Sequence, residues 1–337
     1  MQIKNLLILL ILACTVPSVF GQARINTFDD IQKRDQLAIP QEYKKAAVSG
    51  EVTPLYTDET ADVGPQYILK PKLRRLYFET LVDTQYYYNN NVFMQENRPA
   101  GAPVDSGIFV VTAQFAVAPT PGWEIGDGML SPRLGFRNQS YFYSADNLDN
   151  LNFTGQTVFA DLNYQFAKSW QARSGIDATR LFSNQENQFE FYKELLPRWG
   201  LDKIFEITPV SAFIISYDGN YHATESNTQI PGLNLPLNLN DRTDQMLTLS
   251  YVHQLVPNLT VRPYYQFKYT KYTNKDLTGF GRTDYLNTVG LIANYSFNNW
   301  ASVRLFCSYA MNQSDNPIIP DYNQFNGGIG ATVVFRF

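Results

Sequence analysis

Eleven charged residues recur at alternate positions within stretches whose intervening residues are largely apolar. Arg133, Arg137, Arg173, Arg262, Lys268, Arg304 and Arg336 are basic; Glu79, Asp83, Asp161 and Asp177 are acidic. Successive side chains of a strand point to opposite faces, so parity places all eleven on one face. Rings of charge select solutes of the opposite sign. Seven cations against four anions would make an electropositive eyelet for small polar or anionic solutes, acidic sugars among them. The plainer reading is a ladder of salt bridges bracing a wall. Tyr141, Tyr143, Tyr264 and Phe306 share the face and are of a type that stacks on sugar rings.

Catalytic chemistry has little to work with. There are two histidines. His222 opens the longest polar stretch, 218–245, and its plainer reading is a solvated loop histidine. His253 alternates with apolar residues beside Leu255 and reads as a polar tip at an aromatic belt. A membrane-embedded hydrolase would pair histidine with serine or aspartate, and the His-x-Ser form is absent, since the second residue after each histidine is Thr224 or Leu255. No catalytic residue, and hence no enzyme, is expected. Asp29-Asp30 and Asp58-Glu59 lack ligand spacing, and Asp315, Asn316 and Asp321 do not follow a calcium-loop pattern, so neither metal nor other cofactor is expected. Gly327-Gly328-Ile329-Gly330 opens no helix and cannot cradle a phosphate; it suits close strand approach. A mild net charge of −4 argues against nucleic acid as a partner.

The elements that carry these residues read as twelve strands: 75–88, 108–117, 130–143, 157–166, 170–181, 189–196, 205–217, 246–255, 259–271, 285–297, 301–312 and 325–337. Most approach the ~10 residues that a tilted strand needs to cross a bilayer. The connections alternate in length. Tight ones fall at 167–169, 256–258 and 298–300; long polar ones at 89–106, 144–155, 218–245, 273–284 and 313–324; 119–128 and 197–203 are intermediate. Short turns at one end and long loops at the other mark a membrane barrel. Aromatic residues make up 15% and charged residues 17%, against roughly a quarter charged in soluble domains. The fold class is therefore all-β, a transmembrane antiparallel up-and-down barrel of about twelve strands occupying 73–337.

Ahead of the barrel, Lys4 and the apolar run 6–13 form an export signal over 1–21, whose removal takes the net charge from −4 to −5 and discards Cys14. Ile11-Leu12-Ala13 before Cys14 loosely resembles a lipoprotein signal with its leucine one place off, so the reading is ordinary cleavage, with lipidation of Cys14 as the alternative. Cys307 then stands alone, so no intrachain disulfide forms. Residues 22–72 are charged, poor in aromatics and without alternation. They read as a periplasmic extension, with a loosely ordered leader or a barrel plug as alternatives.

The last thirteen residues, FNGGIGATVVFRF, alternate between a mostly apolar face ending on Phe337 and a small or polar face carrying Arg336. They resemble the C-terminal strand of bacterial outer-membrane β-barrel proteins, although Gly330 is displaced from that pattern's usual glycine. The resemblance implies that Phe335 and Phe337 form a signal read by the barrel-assembly machinery. DTQYYYNNNVF at 83–93 and SYAMNQSDNPIIPDYNQFNGGIG at 308–330 are similar to stretches of a broad, poorly characterised family of such barrels, some of which accompany polysaccharide export. The family implies a Gram-negative outer membrane with lipid as partner. It further implies a porin-like or export-associated pore, or else a non-conducting structural or adhesive barrel using loop 218–245.

Overall fold

The computed structural model describes residues 75–95, 104–120, 122–167, 169–185, 188–226, 238–274, 281–317 and 319–337. The expected signal 1–21, Cys14, the extension 22–72 and the centres of three long loops lie outside the described residues. The strands are β1 (Arg75–Asn89), β2 (Ser106–Thr120), β3 (Trp123–Ile125), β4 (Gly128–Tyr143), β5 (Phe153–Phe166), β6 (Trp170–Ser183), β7 (Glu190–Thr208), β8 (Ser211–Ser226), β9 (Arg242–Val256), β10 (Leu259–Tyr272), β11 (Thr283–Ser296), β12 (Ala301–Ser314) and β13 (Tyr322–Arg336). A 3-10 turn, Asp146–Leu151, sits in the β4–β5 loop. Among the described residues no helix is long and apolar enough to cross a membrane.

Twelve long strands pair antiparallel, each with its chain neighbour, and β1 pairs with β13 to close the cylinder. Closure leaves no strand edge, so every wall strand finds hydrogen-bond partners on both sides, the condition for spanning lipid with strands. The closing seam runs without interruption from Glu79↔Arg336 to Asn89↔Asn326. The thirteenth strand, β3, pairs with β4 beyond the end of β2, so part of the intermediate connection 119–128 is a short hairpin turning at Gly126, whose φ is +58°.

Alternation sorts the side chains as expected. Leu76, Phe78, Val82, Tyr86 and Tyr88 of β1 are exposed on the outside, whereas Leu81, Asp83, Gln85 and Asn89 are buried inside. The same holds on β2, where Phe109 and Phe115 point out and Val110, Thr112 and Gln114 point in. An apolar outside around a polar inside is the pattern that lipid and a watery lumen demand.

The structure corrects the sequence reading between residues 189 and 245. The expected strands 189–196 and 205–217 and the connection 197–203 are replaced by one continuous β7 and by β8, with the turn at Pro209-Val210. Pro197 sits within β7. It is aligned with Ile176 of β6, while the ladder to β8 skips from Leu195↔Ala223 to Arg198↔Asn220, so the missing N–H falls where no bond is required. The expected loop 218–245 is shorter at both ends, because β8 runs to Ser226 and β9 begins at Arg242. The wall still has the expected twelve strands, and β3 is added to them.

Candidate functional site

The lumen wall is where the chemistry lies. Residues Arg133, Arg137, Arg173, Lys268, Arg304 and Arg336 each meet a carboxylate, and Arg262 lies on the same inward face of β10. The wall also contains charged groups that the sequence reading left out. Arg198, Arg242 and Arg282 join the basic side, and Glu194, Asp202, Asp218, Asp244 and Asp284 the acidic side, so seven over four becomes ten over nine.

On β4 to β7, Arg198 reaches across to two strands. Its Nη2 donates to Asp161 and, at 2.9 Å, to Asp177 Oδ1, which also accepts from Nε at 3.1 Å. Arg137 donates to the other Asp177 oxygen at 3.3 Å. The guanidinium groups of Arg133 and Arg137 lie 5.5 and 5.7 Å from the Phe159 ring centroid, within cation–π range. Arg133 then donates to Glu79 at 2.5 Å, and Glu79 accepts from Arg336 at 3.2 Å, so the carboxylate of β1 ties β4 to β13. Nearby, Arg173 bonds Asp202 through Nε at 2.8 Å and through Nη2 at 2.9 Å, and donates to Asp218 at 2.7 Å.

Glycines give these guanidinium groups their room. A Cβ on Gly200 would lie 2.5 Å from Asp218 Oδ1 and 2.8 Å from Arg173 Nη2. On Gly175 it would lie 2.6 Å from Asp161 Oδ1, and on Gly330 2.7 Å from Arg304 Cζ. Each arginine therefore lies flat on bare backbone. Gly200→Ala is expected to cost about 1–3 kcal/mol by forcing Arg173 off the wall. The check is the temperature at which the compact band of the unheated barrel on an SDS gel converts to the unfolded band; no shift would mean the guanidinium has other space.

At the long-loop end stands a second, denser group. His222 is almost wholly buried and both its ring nitrogens meet carboxylates, Nδ1 at 2.6 Å from Glu194 and Nε2 at 3.1 Å from Asp244. Arg242 Nη2 also lies 3.1 Å from Nδ1 and 3.4 Å from Nε2, so the ring is held between two carboxylates and a guanidinium. Lys268 Nζ lies 2.7 Å from Asp244, Arg242 Nε lies 3.6 Å from its other oxygen, and the Tyr192 hydroxyl donates to Glu194 at 2.9 Å. Four strands, β7 to β10, meet in this hub. Arg282 and Asp284 continue it to β11, with Arg282 packed 4.4 Å from the Tyr272 ring centroid. The expectation of a solvated loop histidine is thus overturned: loop residues 218–222 are strand, and the ring faces charged neighbours inside the wall.

Across the barrel, β1 to β7 supply an apolar patch. Ile108, Val110, Tyr141 and Phe153 are buried and pack with Tyr87, Tyr143, Leu181 and Phe191; the Tyr141 and Phe153 rings stack at 4.5 Å. Tyr264 packs over Gly290, and Phe306 lies 6.0 Å from Tyr87. His253 stacks on Tyr251 at 6.1 Å on the outer face. Phe335 stacks on Trp300 at 6.4 Å, also outside, and the main chain of Phe337 exchanges two bonds of 3.0 Å with Phe78. Among the described residues no group of three or more potential metal ligands forms.

No protein-family profile and no curated protein sequence matches the chain. Solved structures do. An outer membrane channel from Pseudomonas putida F1 matches with a TM-score of 0.50 at 11% identity, over 77% of this chain and 95% of that one. The NanC porin matches at 0.40 and 12%, over 75% and 98%, and the KdgM porin in complex with disordered oligogalacturonate at 0.39 and 10%, over 76% and 99%. At such identities the likeness concerns fold. The closed twelve-strand wall, apolar outside and charged within, makes the chain an outer-membrane-type β-barrel.

Proposed function

We propose that the protein is a porin-like channel of a Gram-negative outer membrane that passes small polar solutes. The observation that carries this reading is the lumen wall, lined with charged and polar side chains while the outer face is apolar. The tight-turn end, with the C-terminus, faces the periplasm in this reading, after removal of the export signal. Lipid is the partner of the outer face. The outward Phe335 and the terminal Phe337 serve as the signal for the barrel-assembly machinery.

The near balance of wall charges bears on the solute. Most guanidinium groups spend their donors on neighbouring carboxylates, so the wall offers many dipoles and little net potential. Passage of neutral or zwitterionic polar solutes suits it, with anion preference confined to the slight basic excess; polysaccharide export is the finer variant. Planar-bilayer recording of the refolded protein is expected to give stepwise conductance with weak anion preference, and its absence would sink the channel reading. The triple change of Arg133, Arg137 and Arg304 to Ala is expected to turn that preference towards cations; unchanged selectivity would remove the eyelet.

A second reading, a closed barrel that works through its outer loops, draws on the two buried groups at the long-loop end, where the hub and the aromatic patch fill the wall's inner surface. The same recording decides between them. A hydrolase is the third reading. It would need His222 to act as a base, yet both ring nitrogens are engaged by carboxylates. His222→Ala is expected to leave no hydrolytic activity to lose on ester or phospholipid substrates, and a turnover abolished by this change would overturn the assignment.

A further inference from the structure

We propose that Lys203, with Ser169 and the rings of Trp170 and Phe205, forms a binding site on the outer wall for the phosphate of an acidic phospholipid headgroup. The proposal rests on the membrane-barrel reading above, and the phospholipid belongs to the leaflet at the tight-turn end. Lys203 stands on the outward face of β7 between Leu201 and Phe205, both of which are exposed. It is aligned with Trp170, the first residue of β6, so it lies level with the β5–β6 turn. Aromatic residues on barrel walls gather at headgroup height. Here Tyr164, Phe166 and Trp170 stack in a row, at 5.4 and 6.4 Å, on the outward face of β5 and β6.

The ammonium ends that row. It lies 4.8 Å from the Trp170 centroid and 5.4 Å from that of Phe205, and donates to Ser169 Oγ at 2.6 Å. Among the described residues no carboxylate stands within 4.0 Å of it, in contrast to the paired arginines of the lumen. A lipid-facing cation is costly unless it reaches the interface and finds a counter-charge there. Ring faces and one hydroxyl orient the ammonium without neutralising it, and its remaining hydrogens are available to an anion. Ser169 accepts from Lys203, and its own hydrogen reaches only Ala167 O at 3.3 Å, so it can turn to a phosphate oxygen. The anion at that height of a bilayer is the lipid phosphate.

The test is native mass spectrometry of the refolded full chain in neutral detergent, titrated with phosphatidylglycerol, phosphatidylcholine or inorganic phosphate. One phosphatidylglycerol is expected to be retained about tenfold more tightly than by Lys203→Gln, the value of one charge-assisted hydrogen bond. Lys203→Arg is expected to keep the preference, and Trp170→Leu to weaken it a few-fold. Equal retention by the parent and Lys203→Gln, each with an unchanged heat-modifiable band, overturns the site. Retention of inorganic phosphate without preference for the lipid overturns the lipid assignment. A chain that stays soluble without detergent brings down the barrel reading itself, whereas a conducting barrel without the Lys203-dependent retention brings down only this proposal.

Discussion

Replacing Asp244 by Asn is expected to lower the unfolding free energy by about 3–5 kcal/mol, the largest loss from any single change in the lumen wall. Asp244 is fully buried and receives Lys268 at 2.7 Å and His222 at 3.1 Å, with Arg242 at 3.6 Å. Removing one charge leaves two permanent cations, Lys268 and Arg242, inside the wall without the anion between them. A buried ionic group is weak evidence for stability while intact, but breaking it exposes the cost of desolvated charge. Lys268→Met should cost less, because His222 and Arg242 still serve Asp244. The double variant should fall short of the sum of the two singles, since both act on one contact. The measurement is urea unfolding of the barrel in detergent or vesicles, followed by tryptophan fluorescence. A loss under about 1 kcal/mol for Asp244→Asn would show that water already reaches the hub.

The seam gives the second large effect. Asp83→Asn should cost roughly 3 kcal/mol and slow the appearance of the heat-resistant band during refolding. Asp83 is buried on β1 and takes bonds of 2.5 and 2.8 Å from Arg304 of β12, which reaches over Gly330 of β13 to meet it. Thr332 of β13 donates to the same carboxylate at 2.5 Å and accepts from Arg304 at 2.9 Å. Three strands are thus pinned at the one joint whose partners stand 249 positions apart in the chain. Bringing such distant segments together is the slow part of forming a sheet, so a contact that holds them affects rate as well as stability. Arg336→Ala, at the same seam but more exposed, should change stability by less than about 1 kcal/mol. Equal effects of the two substitutions would refute a special role for Asp83.

Much of this architecture is legible in the residue order, because membrane barrels write two faces into every strand. Thr80, Val82 and Thr84 against Leu81, Asp83 and Gln85 suffice to orient β1, and the tight connections set the frame of hairpins. Residue order misleads where local chemistry mimics a break. Pro197 looked like an end, yet Tyr192, Glu194, Arg198 and Asp202 continue the inward parity on both sides of it. Asp218-Gly219-Asn220 opens the expected loop 218–245. In a barrel those residues are ordinary strand, since Asp218, Asn220 and His222 face a polar interior and Gly219 carries the Trp199 ring. The His222 hub was hidden in the same way: Glu194 lies in the expected strand 189–196, His222 in the expected loop 218–245 and Asp244 just before the expected strand 246–255. Periodicity identifies which face a residue shares. It does not say which residues of different strands stand side by side, since that depends on register and tilt around the cylinder.

The guanidinium groups that lie over Gly175, Gly200 and Gly330 carry a consequence for evolution of the bore. A charged residue on a bare strand position occupies wall thickness, and the same residue over alanine would project further into the barrel interior. Calibre can therefore be retuned by one small methyl group at a time, without gaining or losing a charge and without altering the strand number.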